Sequence, residues 1–177
     1  MDYKKTFDLI KPGFFQREVI RNLPENHILA ELVMDLRTSD CSKIELQAPK
    51  EITFKLYDGD TEKLHEAIKK VNEDWIQYFK EGDQIFCAFD KDKIAGFCIL
   101  EEFGKADGLS IGGPGCVGTV PEYRRQGIGL KLVQMATGII RERGYDLPWI
   151  HWTHLADWYG KLGYKTVLRW NCKGFVE

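Results

Sequence analysis

The sequence predicts an α/β domain, because segments with the period of a strand alternate with segments that have the period of a helix. Residues 51–57 (EITFKLY) alternate apolar and polar side chains, which is the pattern of a half-buried strand. Apolar side chains at helical spacing follow from Thr61 to Phe79, with a break expected near Asn72. Two short apolar runs on either side of residues 90–93 (DKDK) then predict a β-hairpin.

Length and composition fit a globular protein of ordinary size. The 177 residues suffice for one domain with its own core. Hydrophobic residues make up 44% and charged residues 29% of the chain. The formal net charge of −2 disfavours a nucleic acid or an anionic membrane as partner. No apolar run approaches the roughly 18 residues that span a bilayer, and residues 1–15 make a poor signal peptide.

The five cysteines are odd in number, widely spaced and surrounded by apolar residues. This usage favours reduced thiols and a cytoplasmic location over a disulfide framework. His151 and His154 form an HxxH pair, but on a strand their side chains would point to opposite faces, and no further ligand stands at zinc spacing. We therefore expect no metal site.

The most informative stretch runs from Cys116 to Ala136 (CVGTVPEYRRQGIGLKLVQMA). It begins with small and β-branched residues typical of a strand, which Pro121 ends because proline lacks the N–H group that a ladder needs. A basic turn with two glycines follows, and after it apolar residues recur at helical spacing. The stretch therefore predicts a strand, a turn and a helix in that order.

The turn has the chemistry of an anion-binding site. The first N–H groups of a helix lack partners within the helix and carry about half a positive charge. Gly127 and Gly129 leave the backbone accessible to an anion, and Arg124 and Arg125 add full charges. A diphosphate is the expected ligand. The turn is neither a Walker loop nor a dinucleotide fingerprint, because it lacks the GxxxxGK[ST] pattern and a third glycine.

The turn resembles the coenzyme A loop of the GNAT (N-acetyltransferase) superfamily, whose pattern is [QR]-x-x-G-x-[GA]. Arg124, Gly127 and Gly129 fill this pattern behind the residues VPEY at 120–123. A second segment, ADWYGKLGY at 156–164, is similar to the A-x-x-[FWL]-Y-x-x-L-G-[FY] helix of the family, and one helix and one strand separate the two. The resemblance is best from about residue 51 to residue 164.

The resemblance implies an acyl-CoA N-acyltransferase fold, in which a mixed, mainly antiparallel central sheet carries helices on both faces. Residues 51–177 would form this domain and residues 1–50 an N-terminal extension, the two together making one compact unit. The family usually has two strands after its last helix, but only residues 164–177 follow Gly163 here. Either one long strand serves both roles, or an N-terminal strand or a neighbouring subunit, as in a possible homodimer, completes the sheet.

By the same resemblance, acetyl-CoA is the expected cofactor. Its diphosphate would bind to the turn, and its pantetheine arm to the central strand. Gly118 would then mark a place where the ligand approaches the backbone closely. The implied cofactor-binding residues are Val117, Gly118, Thr119, Arg124, Arg125, Gln126, Gly127, Ile128, Gly129 and Leu130.

The resemblance also implies the catalytic groups. Tyr159 matches the family tyrosine that protonates the leaving thiolate, a role that a phenol with a pKa near 10 can perform. The base stays open: His151 and His154 are each a candidate for it, or for a pocket or structural residue. Trp152 stands where many relatives have an asparagine that contacts the cofactor.

The expected reaction is acetyl transfer from acetyl-CoA to a primary amine, with a small molecule as acceptor. A protein or peptide amine is an alternative acceptor, and a non-catalytic acyl-CoA-binding module is an alternative function. Cys116 is expected to be structural.

Other segments give weaker indications. Residues 14–23 suggest a short helix, residues 27–37 fit a strand or a helix, and the glycine-rich residues 102–114 suggest a mobile loop. Three aromatic residues are expected either in the core or in the wall of an acceptor pocket: Trp75, Tyr78 and Phe79.

Overall fold

The structure, a computed structural model, describes residues 1–176. The strands are β1 (Leu29–Val33), β2 (Ile52–Leu56), β3 (Ile85–Asp90), β4 (Lys93–Ala106), β5 (Leu109–Thr119), β6 (Leu147–Thr153), β7 (Lys165–Asn171) and β8 (Gly174–Val176). The helices are α1 (Tyr3–Ile10), α2 (Glu18–Arg21), α3 (Thr61–Val71), α4 (Ile128–Glu142) and α5 (Ala156–Gly160). Short 3₁₀ turns lie at Phe14–Gln16, Cys41–Lys43, Glu73–Tyr78 and Pro121–Tyr123.

All eight strands belong to one sheet, in the order β2-β3-β4-β5-β6-β1-β7-β8. Only β5 and β6 pair in parallel, and the other neighbours are antiparallel. The predicted mixed, mainly antiparallel sheet is therefore confirmed. Within residues 1–176, no helix has the length and hydropathy needed to cross a bilayer.

Helices cover both faces of the sheet, as predicted. Along β4, Cys98 and Leu100 pack in the cluster that contains α4, whereas Phe97 and Ile99 pack in the cluster that contains α3. Because successive side chains of a strand point to opposite faces, α3 and α4 lie on opposite sides of the sheet. The helical stripe of residues 61–79 breaks at Asn72 into α3 and a 3₁₀ turn, as the sequence suggested.

An N-terminal strand completes the sheet after the short C-terminal part of the chain. β1 pairs with β7, where Leu29 faces Trp170, and with β6, where Ala30 faces Thr153. Every residue of β1 is buried, so the ambiguous apolar run at 27–37 folds as a central strand. A second subunit is not needed to fill this place in the sheet.

The prediction of a mobile loop at residues 102–114 is wrong. These residues form the long hairpin of β4 and β5, which turns at Asp107 and Gly108, both with positive φ. Glycine occurs within the strands because neighbouring backbone leaves no room for a side chain. A Cβ atom on Gly112 would lie 2.7 Å from the Glu101 carbonyl oxygen, and one on Gly113 would collide with the Trp149 carbonyl oxygen.

An aromatic cluster attaches the N-terminal segment to the face of the sheet that also carries α3. Phe7 of α1 and Phe14 lie with their ring centroids 5.1 Å apart, and Phe14 meets Trp170 at 4.9 Å. Both phenylalanines are almost completely buried. The predicted short helix at 14–23 is replaced by a 3₁₀ turn and the single-turn α2.

Glu31 is the one charged residue of β1, and its side chain has no exposed surface. Its carboxylate accepts hydrogen bonds from the indole N–H groups of Trp149, at 2.6 Å, and Trp170, at 2.8 Å. It also accepts one from the backbone N–H of Trp152, at 3.1 Å, and lies 2.9 Å from Nδ1 of His151. These donors come from β6 and β7, so Glu31 ties β1 to both neighbouring strands.

Replacing Glu31 with alanine should destabilise the fold by about 3–5 kcal/mol, because two buried indole N–H groups would lose their only acceptor. The free energy of unfolding in urea measures this loss. Glu45→Ala, at an exposed position of the same N-terminal region, should change stability by no more than about 0.5 kcal/mol. Equal stability of the two variants would contradict the structural role of Glu31.

Candidate functional site

A cleft opens in the sheet where β5 and β6 stop pairing. Among residues 1–176, the two strands are joined only near their N-terminal ends, where Ile111 faces Leu147 and Gly112 faces Pro148. Further along, β5 pairs only with β4, and β6 only with β1. Both strands are also irregular here, since Cys116 and Trp152 have positive φ at places where the register shifts. The backbone of β5 that faces β6 is therefore available to a ligand.

The predicted anion-binding turn lies at the mouth of this cleft, between the end of β5 and the first residue of α4. Gly127 caps α4 in the left-handed conformation, and Arg125 also has positive φ. Arg124 donates a hydrogen bond from Nε to the Thr119 carbonyl oxygen at 3.0 Å, which ties the turn to β5. The side chains of Arg124, Arg125 and Gln126 are exposed, so both guanidinium groups can reach an anion.

Residues 41–48, here called the covering segment, run along α4 toward this turn. The Gln134 side chain of α4 donates hydrogen bonds to the carbonyl oxygens of Cys41, at 2.7 Å, and Ile44, at 2.8 Å. The Gln47 carbonyl oxygen occupies the space that a Cβ atom on Gly127 would need. The chain's own backbone thus approaches the turn at the glycine that was predicted to admit an anion. Side chains on both sides of this contact share one cluster: Ile44, Leu46, Val117, Leu130 and Trp158.

Internal packing explains the two other glycines of the predicted cofactor site. A Cβ atom on Gly118 would collide with the Phe97 ring, so a neighbouring side chain is by itself enough to require glycine here. A Cβ atom on Gly129 would lie 2.6 Å from Oγ1 of Thr119 and 3.4 Å from the Trp158 ring. The expectation that a ligand approaches the backbone at Gly118 stays a prediction, and the structure adds that protein atoms lie close to both glycines.

Tyr159 lies on the α4 side of the cleft. It is buried in the cluster that also contains Val133 and Ile150, with Val117 of β5 packed against it. Its ring meets Trp158 edge to face at 4.8 Å. Among residues 1–176, no group forms a hydrogen bond with its hydroxyl. Burial raises the pKa of Tyr159 well above the ordinary value of 10.0, so the phenol keeps its proton at neutral pH.

His151 lies on the opposite face of the sheet from Tyr159. Its ring packs against Phe14, with centroids 5.0 Å apart, and its Nδ1 is held by Glu31. The side chain is 14% exposed, so it borders the cleft without lying in the open. His154 is exposed beyond the end of β6. The two predicted catalytic side chains therefore flank the cleft from different faces.

Glu101 of β4 is a candidate that the sequence analysis missed. Its carboxylate lies over Gly115 of β5, where an added Cβ atom would collide with it. Burial raises the pKa of Glu101 above its ordinary value of 4.5, and the nearby cations Lys11 and His151 oppose this rise. Two adjacent glutamates in an otherwise apolar strand were a signal in the sequence. The pattern alone could not show that Glu101 points into the structure while Glu102 is exposed.

Cys116 lies beside Glu101. Burial, together with the Glu101 carboxylate, raises the pKa of the Cys116 thiol to about 12. A thiol with so high a pKa carries almost no thiolate at neutral pH, so this cysteine is a poor nucleophile. The geometry supports the structural role expected for it.

A cavity of about 640 Å³ opens beside Glu101, on the face that carries α1 and α3. Of the three aromatic residues considered as walls, Tyr78 lines this cavity, whereas Phe79 packs on Phe97 with ring centroids 5.6 Å apart. A larger hollow of about 790 Å³, between α3 and the hairpin of β3 and β4, contains no residue of the cleft. Side chains that line the cavity beside Glu101 include Lys11, Arg17, Tyr78, Lys80, Asp83 and Phe103.

Comparison with known proteins gives a family match. Residues 81–166 match the family model described as the acetyltransferase (GNAT) domain. This range contains β3 to β6, α4, α5 and the whole predicted cofactor site. No curated protein matches the sequence.

Several solved structures share the fold. A glucosamine N-acetyltransferase region of a fungal multi-domain β-N-acetylglucosaminidase superposes with a TM-score of 0.68 and 21% identity, over 82% of this chain and 20% of that one. For a GCN5-related N-acetyltransferase from Sphaerobacter thermophilus, the TM-score is 0.60 and the identity is 17%, over 83% of this chain and 50% of that one. An acetyltransferase from Trypanosoma brucei superposes with a TM-score of 0.54 and 19% identity, over 64% of this chain and 92% of that one. This chain thus spans half or less of the length of the first two proteins.

The burial of Glu101 predicts a pH-dependent stability. Since its pKa is raised in the folded state, the folded chain retains a proton that the unfolded chain loses as pH rises above about 4.5. Wild-type stability should therefore fall relative to Glu101→Gln as pH rises from 4.5 through the raised pKa, and the difference should then stay constant. Urea unfolding at a series of pH values tests this. An unchanged difference across the series, as expected for the exposed control Glu81→Gln, would show that Glu101 is not desolvated.

Proposed function

Because this chain belongs to the GNAT superfamily, we propose that it transfers the acetyl group of acetyl-CoA directly to a primary amine of a small molecule. One observation carries the proposal: the cleft between β5 and β6 has the first turn of α4 at its mouth and a titratable side chain on each face. Tyr159 lies on the face of α4, and Glu101 lies on the face of α1 and α3. The acetyl donor and the amine would then meet inside the cleft from opposite sides of the sheet.

The cofactor would be held by backbone and charge. The diphosphate of acetyl-CoA fits the first turn of α4, where unpaired N–H groups and the exposed Arg124 and Arg125 favour an anion. The pantetheine arm would lie along the unpaired edge of β5, at Val117, Gly118 and Thr119, and a free N–H there would polarise the thioester carbonyl. Gln126, Ile128, Gly129 and Leu130 complete the proposed cofactor site.

In the proposed reaction, the amine nitrogen bonds to the acetyl carbonyl carbon and the C–S bond breaks. The amine must first lose a proton, and Glu101 is the better placed base, because its carboxylate lies over β5 at the cleft. Its raised pKa brings it closer to neutral pH than an ordinary glutamate. Tyr159 would give its phenolic proton to the leaving thiolate, and the second proton that the nitrogen loses as the amide forms would restore the phenol. His151, bound to Glu31, would border the acceptor pocket as a positioning residue.

Acetyl-CoA binding would require the covering segment to shift. The Gln47 carbonyl oxygen carries the same sign of partial charge as a phosphate, and it lies against Gly127. Since only the shifted conformation would bind, the measured affinity would be lower than the intrinsic affinity by the fraction of molecules in that conformation. Leu46 helps to hold the segment through its contacts in the cluster with Val117 and Leu130.

Calorimetric titration with acetyl-CoA tests the cofactor site. We expect micromolar binding by the wild type and a loss of at least about tenfold in Arg124→Glu/Arg125→Glu, because two favourable charges become two repulsive ones. Lys105→Glu/Lys165→Glu reverses two exposed charges elsewhere and should bind like the wild type. Leu46→Ser should bind several-fold more tightly, because it loosens the covering segment. Absence of binding by the wild type would refute the assignment.

Tyr159→Phe should lower turnover about a hundredfold or more while leaving acetyl-CoA affinity unchanged, because it removes only the acid. Release of free thiol in the presence of an amine panel measures turnover. Tyr164→Phe is the matched control: the Tyr164 hydroxyl is buried and pairs with Thr137 at 2.8 Å, so its loss should affect stability alone.

The same measurements address the alternative functions. Acetyl-CoA binding by the wild type with no thiol release for any small amine or peptide would favour an acyl-CoA-binding module, a reading that the covering segment also supports. Faster turnover with peptides than with small amines would move the proposal to a protein or peptide acceptor. A cytoplasmic location remains a proposal from the cysteines, all five of which are free.

A further inference from the structure

Three basic side chains surround the cavity beside Glu101: Lys11, Arg17 and Lys80. Within residues 1–176, none of the three forms an ion pair, although other surface cations do, such as Lys70 with Glu122 at 3.4 Å. Lys11 is half-buried and lies 4.4 Å from the centroid of the Phe103 ring. The guanidinium of Arg17 lies 5.5 Å from the Phe14 ring. These cations share the lining with three acidic residues, Asp83, Glu101 and Glu102, so the cavity holds charges of both signs, but in the described part of the chain none of its cations is neutralised by a close ion pair.

The negative groups of the cavity are placed differently. The carboxylate of Glu101 lies over Gly115 of β5, at the inner end of the cavity. The carboxylate of Asp83 accepts a hydrogen bond from the backbone N–H of Lys80 at 2.6 Å. Asp83 is thus already used to hold the loop before β3. The cavity consequently has a carboxylate at its inner end, beside the cleft, and cations toward α1 and the loop at residue 80.

We propose that this cavity binds an acceptor that carries an anionic group, a carboxylate or a phosphate, in addition to its amine. The amine lies at Glu101 and the anion lies between Lys11 and Arg17. This inference rests on the proposed acetyl transfer and adds the class of acceptor to it. It also gives the N-terminal extension a role, because Lys11 and Arg17 both belong to residues 1–50.

The physical argument is one of desolvation. Burial lowers the pKa of Lys11 more than the charges of Glu101 and Glu31 raise it, and within residues 1–176 no carboxylate pairs with the ammonium as a close counter-ion. An anionic ligand would supply that counter-ion in a partly dry site, where a charge-assisted hydrogen bond is strong. A volume of about 640 Å³ suits a small molecule. A polyamine would bring a second positive charge close to Lys11 and Arg17, which would repel it.

Matched pairs of amines test the inference, with thiol release from acetyl-CoA as the readout. The pairs are β-alanine with β-alaninamide, and ethanolamine phosphate with ethanolamine. We expect kcat/KM to be about tenfold higher for the anionic member of at least one pair, the effect of one charge-assisted hydrogen bond. The pair that shows the preference identifies the anion as carboxylate or phosphate.

Variants locate the preference in the cavity. Lys11→Gln and Arg17→Gln should each reduce the ratio of kcat/KM within the responding pair toward one, mainly through KM. Lys105→Gln, at an exposed position on the turn side of β4, should keep the wild-type ratio. Circular dichroism shows whether each variant is folded. If either Lys11→Gln or Arg17→Gln fails to fold, the other still tests the inference.

The outcomes separate this inference from the proposed function. Acetylation of both members of each pair at equal rates, or faster acetylation of putrescine, would overturn the inference and leave acetyl transfer intact. If no amine is acetylated, the proposed function fails. Whether the cavity binds an anionic ligand is then tested by a direct binding measurement. Calorimetry should then still show that N-acetyl-β-alanine binds the wild type and binds Lys11→Gln at least about fivefold more weakly. No binding of this probe would overturn it.

Discussion

The buried carboxylate of Glu31 is the interaction on which the rest of this structure depends. A carboxylate without exposed surface is stable only when its oxygens are fully hydrogen-bonded, and here the partners come from β6 and β7. Glu31 therefore fixes β1 between strands that lie far from it in the sequence. The aromatic cluster of Phe7 and Phe14 packs on the surface that these three strands form. The position of Lys11, and with it one wall of the cavity beside Glu101, follows from this arrangement.

The second constraint is the contact between β5 and β6. At Gly113 the two backbones lie so close that no side chain fits, and beyond this point the strands share no further ladder pair. The resulting cleft divides the chemistry of the site between two faces. The phenol of Tyr159 and the turn before α4 lie on one face, and the carboxylate of Glu101 lies on the other. In the proposed reaction, a cofactor and an acceptor would approach the same point from different faces without competing for space.

Local features of this site were predictable because they depend on residues close together in the sequence. The strand, the basic turn and α4 follow from β-branched residues, Pro121 and apolar spacing within about twenty residues. The glycine-rich stretch at 102–114 was misread, since glycine favours both a loop and a close contact between strands. The sequence made His151 a candidate base by residue type and position, whereas Glu101 became a candidate only through burial, which raises its pKa and which only the folded chain creates.

The sequence by itself determined the alternation of helices and strands, the turn that precedes α4, and Tyr159 at the start of the Y-x-x-L-G-[FY] segment. Each of these is specified by backbone preferences and by side-chain spacing over a few turns or strands. The tertiary structure decided that β1 enters the sheet between β6 and β7, that Gln47 rests against Gly127, and that Lys11 faces Glu101 across a cavity. These contacts join residues that are dozens of positions apart in the sequence. They are selected by packing and desolvation, which act only once the chain has folded.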